Sequence, residues 1–249
     1  MPDMKKKRLK RWQKWTIVGV LTPVVAVVAF LIIYQLTHKA EQKAEKDFTE
    51  LADDAATTGA AVTLDSLGGS WTTITIDPAN AEQADKFYVG YRVDEVLFGQ
   101  NVTATGRTRD VVGTLVFDGS TLTNADFTAL MATVTSDESR RDGQFRGRIM
   151  AVDEFPEATF TLTQPIALDA VPSEGEVVTL SAMGDLTVRG TTKSVTFDLK
   201  AFHSAGTITV TGEIPIVFDE WGVPNPTGGP ATTEDHGSME FLLTFARAA

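Results

Sequence analysis

The 249-residue chain contains no cysteine and only three histidines, and these shortages exclude several kinds of site. Without cysteine the chain forms no disulfide framework, no cysteine-ligated zinc or iron–sulfur centre and no thiol nucleophile. A lipoprotein anchor is excluded as well, because it needs a cysteine at the mature N-terminus. His38, His203 and His236 are too few to predict a metal centre built from several histidines.

Catalytic motifs are missing too. The sequence has no nucleophile elbow, no P-loop, no dinucleotide-binding glycine motif after a strand and no H-E-x-x-H. His236 lies beside Asp235 and near Ser238, but the members of a catalytic triad converge from different elements. We interpret this segment as the turn before the last strand, and His203 as an exposed turn histidine. The sequence therefore predicts a protein that is not an enzyme and requires no cofactor.

Basic residues are scarce outside the N-terminus. Seven basic residues and one acidic residue give residues 1–14 a net charge of +6, while the other 235 residues, with 15 basic and 32 acidic groups, carry −17. An acidic body repels phosphate backbones, so we expect no binding of nucleic acid by the folded part. Basic flanks stay on the cytoplasmic side of a membrane, so we interpret residues 1–14 as a cytoplasmic tail.

The segment that follows has no charged residue from Trp15 to Thr37. About 20 apolar residues span a bilayer as a helix, and the segment therefore predicts a transmembrane helix over 15–37 that acts as a signal anchor. A cleaved signal peptide would need a shorter apolar region and a small-residue cleavage site, which residues 34–38 do not offer. A buried core helix would not explain the basic flank. We expect a single-pass protein whose C-terminal domain is extracytoplasmic.

Residues 38–67 are predicted to form a helical stalk and a linker. The first part is rich in the helix formers Ala, Glu, Lys and Gln. One interpretation is a solvated spacer that continues the anchor. The other is a weak coiled-coil homodimer. The second interpretation rests on a thin apolar stripe at helical spacing, formed by Ala40, Ala44, Phe48, Leu51 and Ala55.

From residue 68 to 249 the apolar period changes from 3.6 to 2, with Gly, Pro, Asn and Asp at the turns. One apolar and one polar face per strand is typical of an antiparallel sheet with a wet exterior. The pattern predicts an all-β domain with enough strands for a closed barrel. The candidate strands are Trp71–Ile76, Phe87–Phe98, Asn101–Arg107, Val111–Phe117, Thr121–Val134, Ala158–Leu168, Val177–Val188, Ser194–Phe202, Thr207–Phe218 and Ser238–Phe245.

One helical pattern interrupts the strands, at Asp137–Val152, where Phe145, Ile149 and Val152 share a face. We expect this short helix to plug or flank the barrel. The same segment carries four arginines, which suit an anionic headgroup because a guanidinium donates paired hydrogen bonds. Alternatively, they pair with local acids and fix a cap over the barrel. The four arginines are Arg140, Arg141, Arg146 and Arg148.

Three blocks carry a resemblance to a known family. They read TSDESRRD at 135–142, FPEATF at 155–160 and GDLTVRGTTKSVTF at 184–197. In this order and spacing they resemble the YceI-like family of bacterial proteins, often called polyisoprenoid-binding. The resemblance covers roughly residues 68 to 249. It implies an extended, antiparallel, lipocalin-like barrel of about eight strands around an elongated apolar cavity that holds a long isoprenoid or a similar amphiphile.

The resulting hypothesis is a membrane-tethered binding protein that sequesters or carries a long hydrophobic ligand, with a polyisoprenoid as the implied class. Burial of a prenyl or acyl chain contributes about 0.8 kcal/mol per methylene. The residues predicted to line the cavity are Phe160, Leu162, Leu180, Leu186, Val195, Phe197, Leu199, Ile208, Val210, Ile216, Phe241 and Phe245.

The alternative is a barrel filled by its own side chains that serves as a structural or protein-interaction module at the cell surface. The segment 220–224 contains Trp221. In a protein-interaction module this residue would offer an exposed contact to a partner. In a ligand-binding barrel it would close the mouth of the barrel. The contents of the barrel interior distinguish the two hypotheses.

Overall fold

The computed structural model describes residues 48–55, 67–74 and 86–248. The predicted tail at 1–14, the predicted transmembrane helix at 15–37 and most of the predicted stalk lie outside these ranges. Among the residues that the structure does describe, no helix has the length and apolar character needed to cross a bilayer.

Within the described ranges, thirteen antiparallel strands form one sheet. They are β1 (Gly69–Thr73), β2 (Tyr88–Leu97), β3 (Gln100–Thr108), β4 (Val111–Asp118), β5 (Thr121–Leu130), β6 (Thr135–Ser136), β7 (Glu157–Leu162), β8 (Ile166–Ala167), β9 (Val178–Val188), β10 (Thr191–Ser204), β11 (Thr207–Val217), β12 (Ala231–Thr233) and β13 (His236–Arg247).

Eight of these strands close into a barrel in the order β1-β4-β5-β7-β9-β10-β11-β13, and β13 then pairs with β1. This confirms the predicted all-β barrel of about eight strands with a short helix. The last strand has two partners on one side: Phe245–Arg247 pair with β1, whereas Ser238–Leu242 pair with β2. Strands β2, β3 and β6 therefore extend the wall beyond the eight-stranded ring.

Strand alternation explains which side chains fill the interior. In β10, Phe197 and Ala201 are buried, whereas Thr196 and Asp198, the two neighbours of Phe197, are exposed. The neighbouring strands repeat this period of two, so apolar side chains converge inside the ring and hydroxyl and charged groups face outward.

Glycines let four interior aromatic rings lie flat against the wall. The rings of Tyr91, Phe127, Phe160 and Phe241 cover Gly106, Gly113, Gly184 and Gly212 on the neighbouring strands. A Cβ atom at Gly113 would lie 2.5 Å from Phe127 Cδ1, and one at Gly212 would lie 2.6 Å from Phe241 Cζ. Both distances are well below van der Waals contact, so only glycine permits this arrangement.

Adding a methyl group at Gly212 is expected to push the Phe241 ring away from the wall and into the lumen. We expect Gly212→Ala to reduce the free energy of unfolding by about 1–3 kcal/mol, the usual cost of overpacking. Gly143→Ala is the matched control, because nothing lies within 4 Å of a Cβ atom at Gly143. Urea unfolding of both variants tests the prediction, and equal stability of Gly212→Ala and the parent would contradict it.

A helix over residues 48–55, α1, packs on the outside of the barrel. Its buried residues Phe48, Ala52 and Ala55 contact the outward side chains Tyr88, Phe202 and Leu242. The rings of Phe48 and Phe202 meet edge to face, with centroids 5.2 Å apart. This part of the predicted stalk is therefore not a solvated spacer, and its apolar face is covered by the barrel rather than available to a second helix.

A buried ion cluster lies on the same outer surface. The carboxylate of Glu240 accepts from Arg92 at 3.0 Å and from Arg107 at 2.8 Å, and its side chain is 8% exposed. The Arg107 guanidinium also lies 3.8 Å from the centroid of the Tyr88 ring. The pairing offsets the cost of burying the charge, and it joins β2, β3 and β13.

Most predicted strands differ from the observed ones only at their ends, but two are interrupted or cut short. The predicted strand Thr121–Val134 ends at Leu130, where a 3₁₀ turn, Met131–Thr133, begins. The predicted strand Ala158–Leu168 is divided into β7 and β8, because Pro165 between them has no N–H to continue the ladder.

The predicted helix Asp137–Val152 is shorter than expected. It comprises α2, Ser139–Gln144, followed by a π-helical turn, Phe145–Ile149. Gly143 and Gly147 weaken the α-helical conformation in this stretch. Phe145 nevertheless points inward and is buried, which confirms that the segment covers one end of the barrel.

Candidate functional site

The residues that the structure describes enclose two adjoining cavities in and beside the barrel. The apolar cavity has a volume of about 140 Å³ and is lined almost entirely by aliphatic and aromatic side chains from β4, β5, β7, β9, β10, β11 and β13. The arginine cavity has a volume of about 300 Å³ and lies under the α2 segment, with Arg140, Arg141 and Arg148 in its wall. Val89 and Met239 line both cavities, so the two adjoin.

Most of the predicted lining residues surround these cavities. Ile216 lines the arginine cavity, whereas Val195 and Phe245 line neither. Phe245 is fully buried and packs edge to face on Phe127 instead. Contact with a ligand remains a prediction for all of them. The nine that line the apolar cavity are Phe160, Leu162, Leu180, Leu186, Phe197, Leu199, Ile208, Val210 and Phe241.

Sequence reasoning omitted the lining residues of the first half of the domain. Val111, Leu115 and Phe117 of β4 line the apolar cavity, as do Leu122 and Phe127 of β5. The alternation of β4 is visible in the sequence and would have identified its three residues. The β5 residues were hidden by a bulge that shifts the register of the pair between Val116 and Phe117 of β4.

Four aromatic rings form a connected series across the lumen. The centroid distances are 6.2 Å from Phe127 to Phe160, 5.5 Å from Phe160 to Phe197 and 5.9 Å from Phe197 to Phe241. Tilted and edge-to-face contacts of this kind stabilise the packing of the rings. The interior is thus partly filled by aromatic side chains and partly empty.

The arginines have different environments. Arg141 pairs with Asp137 and lies 3.9 Å from Glu95. This arginine therefore fits the interpretation in which the arginines pair with nearby acidic residues. Arg148 donates to the carbonyl of Asn225 at 3.2 Å. Arg140 makes no ion pair with any residue that the structure describes. Two exposed guanidinium groups at the cavity therefore keep donors for an anion.

Arg146 differs from the other three because it does not line the arginine cavity. Its guanidinium donates to the carbonyl of Val134 at 3.5 Å. The spacing in the sequence did not separate Arg146 from Arg148, because the π-helical turn changes which residues share a face.

Two groups in the wall of the arginine cavity, Tyr91 and Glu95, have shifted pKa values. Burial raises the pKa of Tyr91 to about 12, so its hydroxyl keeps its proton at neutral pH, and its ring stacks on Phe145 with centroids 5.0 Å apart. Burial also raises the pKa of the Glu95 carboxyl, an effect that Arg141 partly opposes. The cavity wall thus combines cationic donors, the neutral hydroxyl of Tyr91 and the two carboxyl groups of Glu95 and Glu138.

The two described histidines differ from each other in burial. His203 is not an exposed turn residue as predicted: it is 5% exposed, lines the apolar cavity, and its Nε2 lies 2.7 Å from the carbonyl of Pro172. The turn comes two residues later, at Ala205 and Gly206, which have positive φ angles. His236 is exposed and lies outside both cavities, and a hydrogen bond with Asp235 raises its pKa.

Trp221 is also buried, at 3% exposure, so the exposed contact envisaged for the segment 220–224 is wrong. It lies in a 3₁₀ turn, Phe218–Trp221, and packs into the barrel core, with the Lys193 ammonium group 5.7 Å from its ring centroid. The indole therefore stabilises this end of the barrel.

The chain is similar to several solved structures of bacterial proteins. A polyisoprenoid binding domain from Saccharophagus degradans implicated in plant cell wall breakdown is 14% identical, with a TM-score of 0.50, over 66% of this chain and 99% of that chain. BcnA from Burkholderia cenocepacia is 22% identical, with a TM-score of 0.47, over 62% and 95%. The YceI protein of Campylobacter jejuni is 18% identical, with a TM-score of 0.41, over 54% and 82%.

At these levels of identity the structural likeness concerns the fold alone. No curated protein matches the chain in sequence. A comparison with protein families is more informative. Residues 74–245, from the residue after β1 into β13, match the YceI-like domain. Since this match covers well over half of the chain and nearly the whole barrel, the chain belongs to the YceI-like domain family.

Proposed function

We propose that this protein binds a long hydrophobic ligand with an anionic headgroup and that the ligand is a polyisoprenoid. The observation that carries the proposal is the junction of the two cavities: an apolar cavity adjoins one with arginines in its wall. A chain would lie among the aromatic rings and a headgroup would meet Arg140 and Arg148. The Saccharophagus degradans domain, which shares the fold, is named for binding the same ligand class.

The proposed role is binding rather than catalysis. Among the described residues, the cluster of histidine and carboxylates at Glu234, Asp235 and His236 is exposed and lies outside both cavities. The empty volume in the interior favours a ligand-binding barrel over a barrel filled by its own side chains.

We further propose that residues 15–37 tether the domain to the outer face of the cell membrane. Support comes from the uncharged run and from the seven basic residues that precede it. Tethering raises the local concentration of the barrel beside a membrane lipid. Protease added to intact cells should then degrade the domain, and protection from the protease would contradict this location.

The ligand proposal is tested with the full chain in a mild detergent. After incubation with decaprenyl phosphate, native mass spectrometry is expected to find one lipid per chain. A chain that stays empty with every prenyl phosphate and prenyl alcohol offered would overturn the proposal and leave the filled-barrel alternative.

Anion binding should depend on pH through Glu95. Burial holds the pKa of Glu95 above its ordinary value of 4.5, and the charged carboxylate opposes an anion in the same cavity. As the pH falls through this pKa, Glu95 becomes neutral, and we expect the affinity for an alkyl sulfate, whose headgroup stays ionised, to rise about two- to tenfold. Fluorescence titration between pH 4.5 and 8 measures the effect.

Glu95→Gln removes the charge at all pH values. We expect this variant to bind the alkyl sulfate more tightly than the parent at pH 7 and to lose this part of the pH dependence. Glu213→Gln is the control, since Glu213 is exposed on β11. The same pH dependence in the parent and in Glu95→Gln would exclude Glu95 as its source.

A further inference from the structure

The hairpin turn between β2 and β3 exposes a phenylalanine in an unfavourable backbone conformation. Phe98 is 77% exposed, and its φ angle is 50°. Leu97 pairs with Gln100, so Phe98 and Gly99 are the two central residues of a tight turn, and both have positive φ angles. Asparagine, aspartate and glycine suit this conformation, whereas it is strained for a bulky side chain.

Two other hairpin turns show that this conformation does not require a phenyl ring. The turns at 189–190 and 205–206 also have two central residues with positive φ angles. Their first positions hold Arg189 and Ala205, neither of which exposes an aromatic ring to water. The local geometry therefore does not explain Phe98, and its exposed ring points to a contact outside the folded barrel.

The exposed ring lies in a surface that carries no charge. Residues 96–106 contain no charged residue, and neither do residues 221–233. The two segments adjoin, because the N–H of Phe98 donates to the carbonyl of Pro230 at 3.2 Å and β12 pairs with β2. Charge is frequent elsewhere in the sequence, where residues 15–249 carry 15 basic and 32 acidic groups. An uncharged surface of this extent around an aromatic ring is typical of an interaction site.

This docking patch, which we define as residues 96–101 and 224–233, borders the site proposed for the lipid headgroup. Pro226 and Ala231 line the arginine cavity, and Arg148 donates to a carbonyl of the patch at 3.2 Å. An exposed aromatic ring suits the interface of a bilayer, and arginines beside it suit anionic headgroups. Because the proposed ligand is a membrane lipid, the surface that leads to its headgroup site must face a membrane when the lipid is exchanged.

We propose that the docking patch binds reversibly to the surface of a lipid bilayer, with the ring of Phe98 inserted among the headgroups, and that the lipid passes between the bilayer and the arginine cavity at this contact. The inference rests on the proposed function, to which it adds the surface and the partner. Insertion removes the ring from water, which compensates for the strained turn that presents it.

The contact can be measured with a fluorescent label at one position, because the chain has no cysteine. Gln100 is exposed two residues from Phe98, so Gln100→Cys carries nitrobenzoxadiazole (NBD) beside the ring. The labelled full chain is reconstituted into vesicles of phosphatidylcholine and phosphatidylglycerol. A nitroxide near the top of the lipid chains is expected to quench this label.

Ser181→Cys is the matched control for the label. Ser181 is exposed on the outer face of β9, and it is carried beside the vesicle by the same N-terminal segment. A label at this position should keep its fluorescence with the nitroxide lipid. An unquenched label at Gln100 would overturn the inference. A blue shift of that label without quenching would indicate a protein partner at the patch and would overturn it as well.

A second variant tests the role of the ring in lipid exchange. Phe98→Asn removes the ring, adds no charge and suits the left-handed turn, so the barrel should fold. We expect the uptake of decaprenyl phosphate from vesicles to slow about tenfold and uptake from detergent to stay unchanged. Val112→Asn is the matched control, because Val112 is 69% exposed on β4 and outside the patch. Uptake from vesicles at the parent rate by Phe98→Asn would overturn the inference.

The two measurements separate this inference from the proposed function. Quenching of the Gln100 label is measured without decaprenyl phosphate, so it reports on the bilayer contact alone. Lipid binding in detergent together with an unquenched label would reject the docking patch while the proposed function stands. A quenched label in a chain that takes up no prenyl lipid from detergent would reject the proposed function and the exchange of lipid, and would leave only the contact with the bilayer.

Discussion

Replacing Ala182 by phenylalanine is expected to abolish the uptake of long-chain ligands. Ala182 is 2% exposed and lines the apolar cavity, opposite Phe197 on β10. A cavity of about 150 Å³ holds one benzene, so a phenyl ring fills a cavity of this size. Excluding about six carbons at about 0.8 kcal/mol each removes about 5 kcal/mol of binding free energy, which is more than three orders of magnitude in affinity.

Ser181→Phe is the matched control for this experiment. This substitution adds the same phenyl ring one residue earlier in the chain. Ser181 is exposed on the outer face of β9, so the new ring faces away from the cavity. We expect near-parent binding of decaprenyl phosphate by Ser181→Phe in native mass spectrometry. Circular dichroism shows whether each variant keeps the barrel. A folded Ala182→Phe variant that still binds the lipid at parent affinity would show that the chain does not occupy the apolar cavity.

Removal of both exposed cavity arginines should weaken binding of an anionic headgroup about a hundredfold. Arg140 and Arg148 each offer donors at the arginine cavity, and a hydrogen bond to a charged group contributes about 1.5–3 kcal/mol. Because both groups are exposed, we take the lower value for each. The Arg140→Ala, Arg148→Ala double variant should lose this affinity for decaprenyl phosphate and keep its affinity for the corresponding alcohol.

Comparing phosphate with alcohol separates headgroup recognition from chain burial. Arg146→Ala is the control, since Arg146 has the same charge and lies in the same segment but outside the cavity. It should reduce phosphate binding far less than the double variant does. A parallel loss for phosphate and alcohol in the double variant would indicate a structural defect instead of lost headgroup contacts.

Alternation of side chains made the barrel predictable. Phe197 and Leu199 against Thr196 and Asp198 are enough to assign the inner face of β10, because the period of a strand is fixed by backbone geometry. The same alternation correctly predicted nine residues of the later strands that line the apolar cavity. It failed at Phe245, since an inward side chain lines a cavity only where neighbouring side chains leave space.

Features that depend on tertiary packing could not be predicted in this way. His203 is buried although it lies two residues before a turn, and its Nε2 lies 2.7 Å from the carbonyl oxygen of Pro172, which is distant in the sequence. The sequence shows that residues 48–55 form an amphipathic helix, but the outward apolar residues Phe202 and Leu242 that cover it look like breaks in the strand pattern. Such breaks indicate a partner on the outer surface, although they do not identify it.

The double pairing of β13 also constrains how the protein is made. This strand is synthesised after the other twelve, and it bonds to β11 along its length and to β1 and β2 on its other side. Until the ribosome has released residues 236–247, the two edges of the sheet have no common neighbour. The lumen therefore forms only after residues 236–247 have been synthesised, and hydrophobic strands translated earlier stay exposed to chaperones until then.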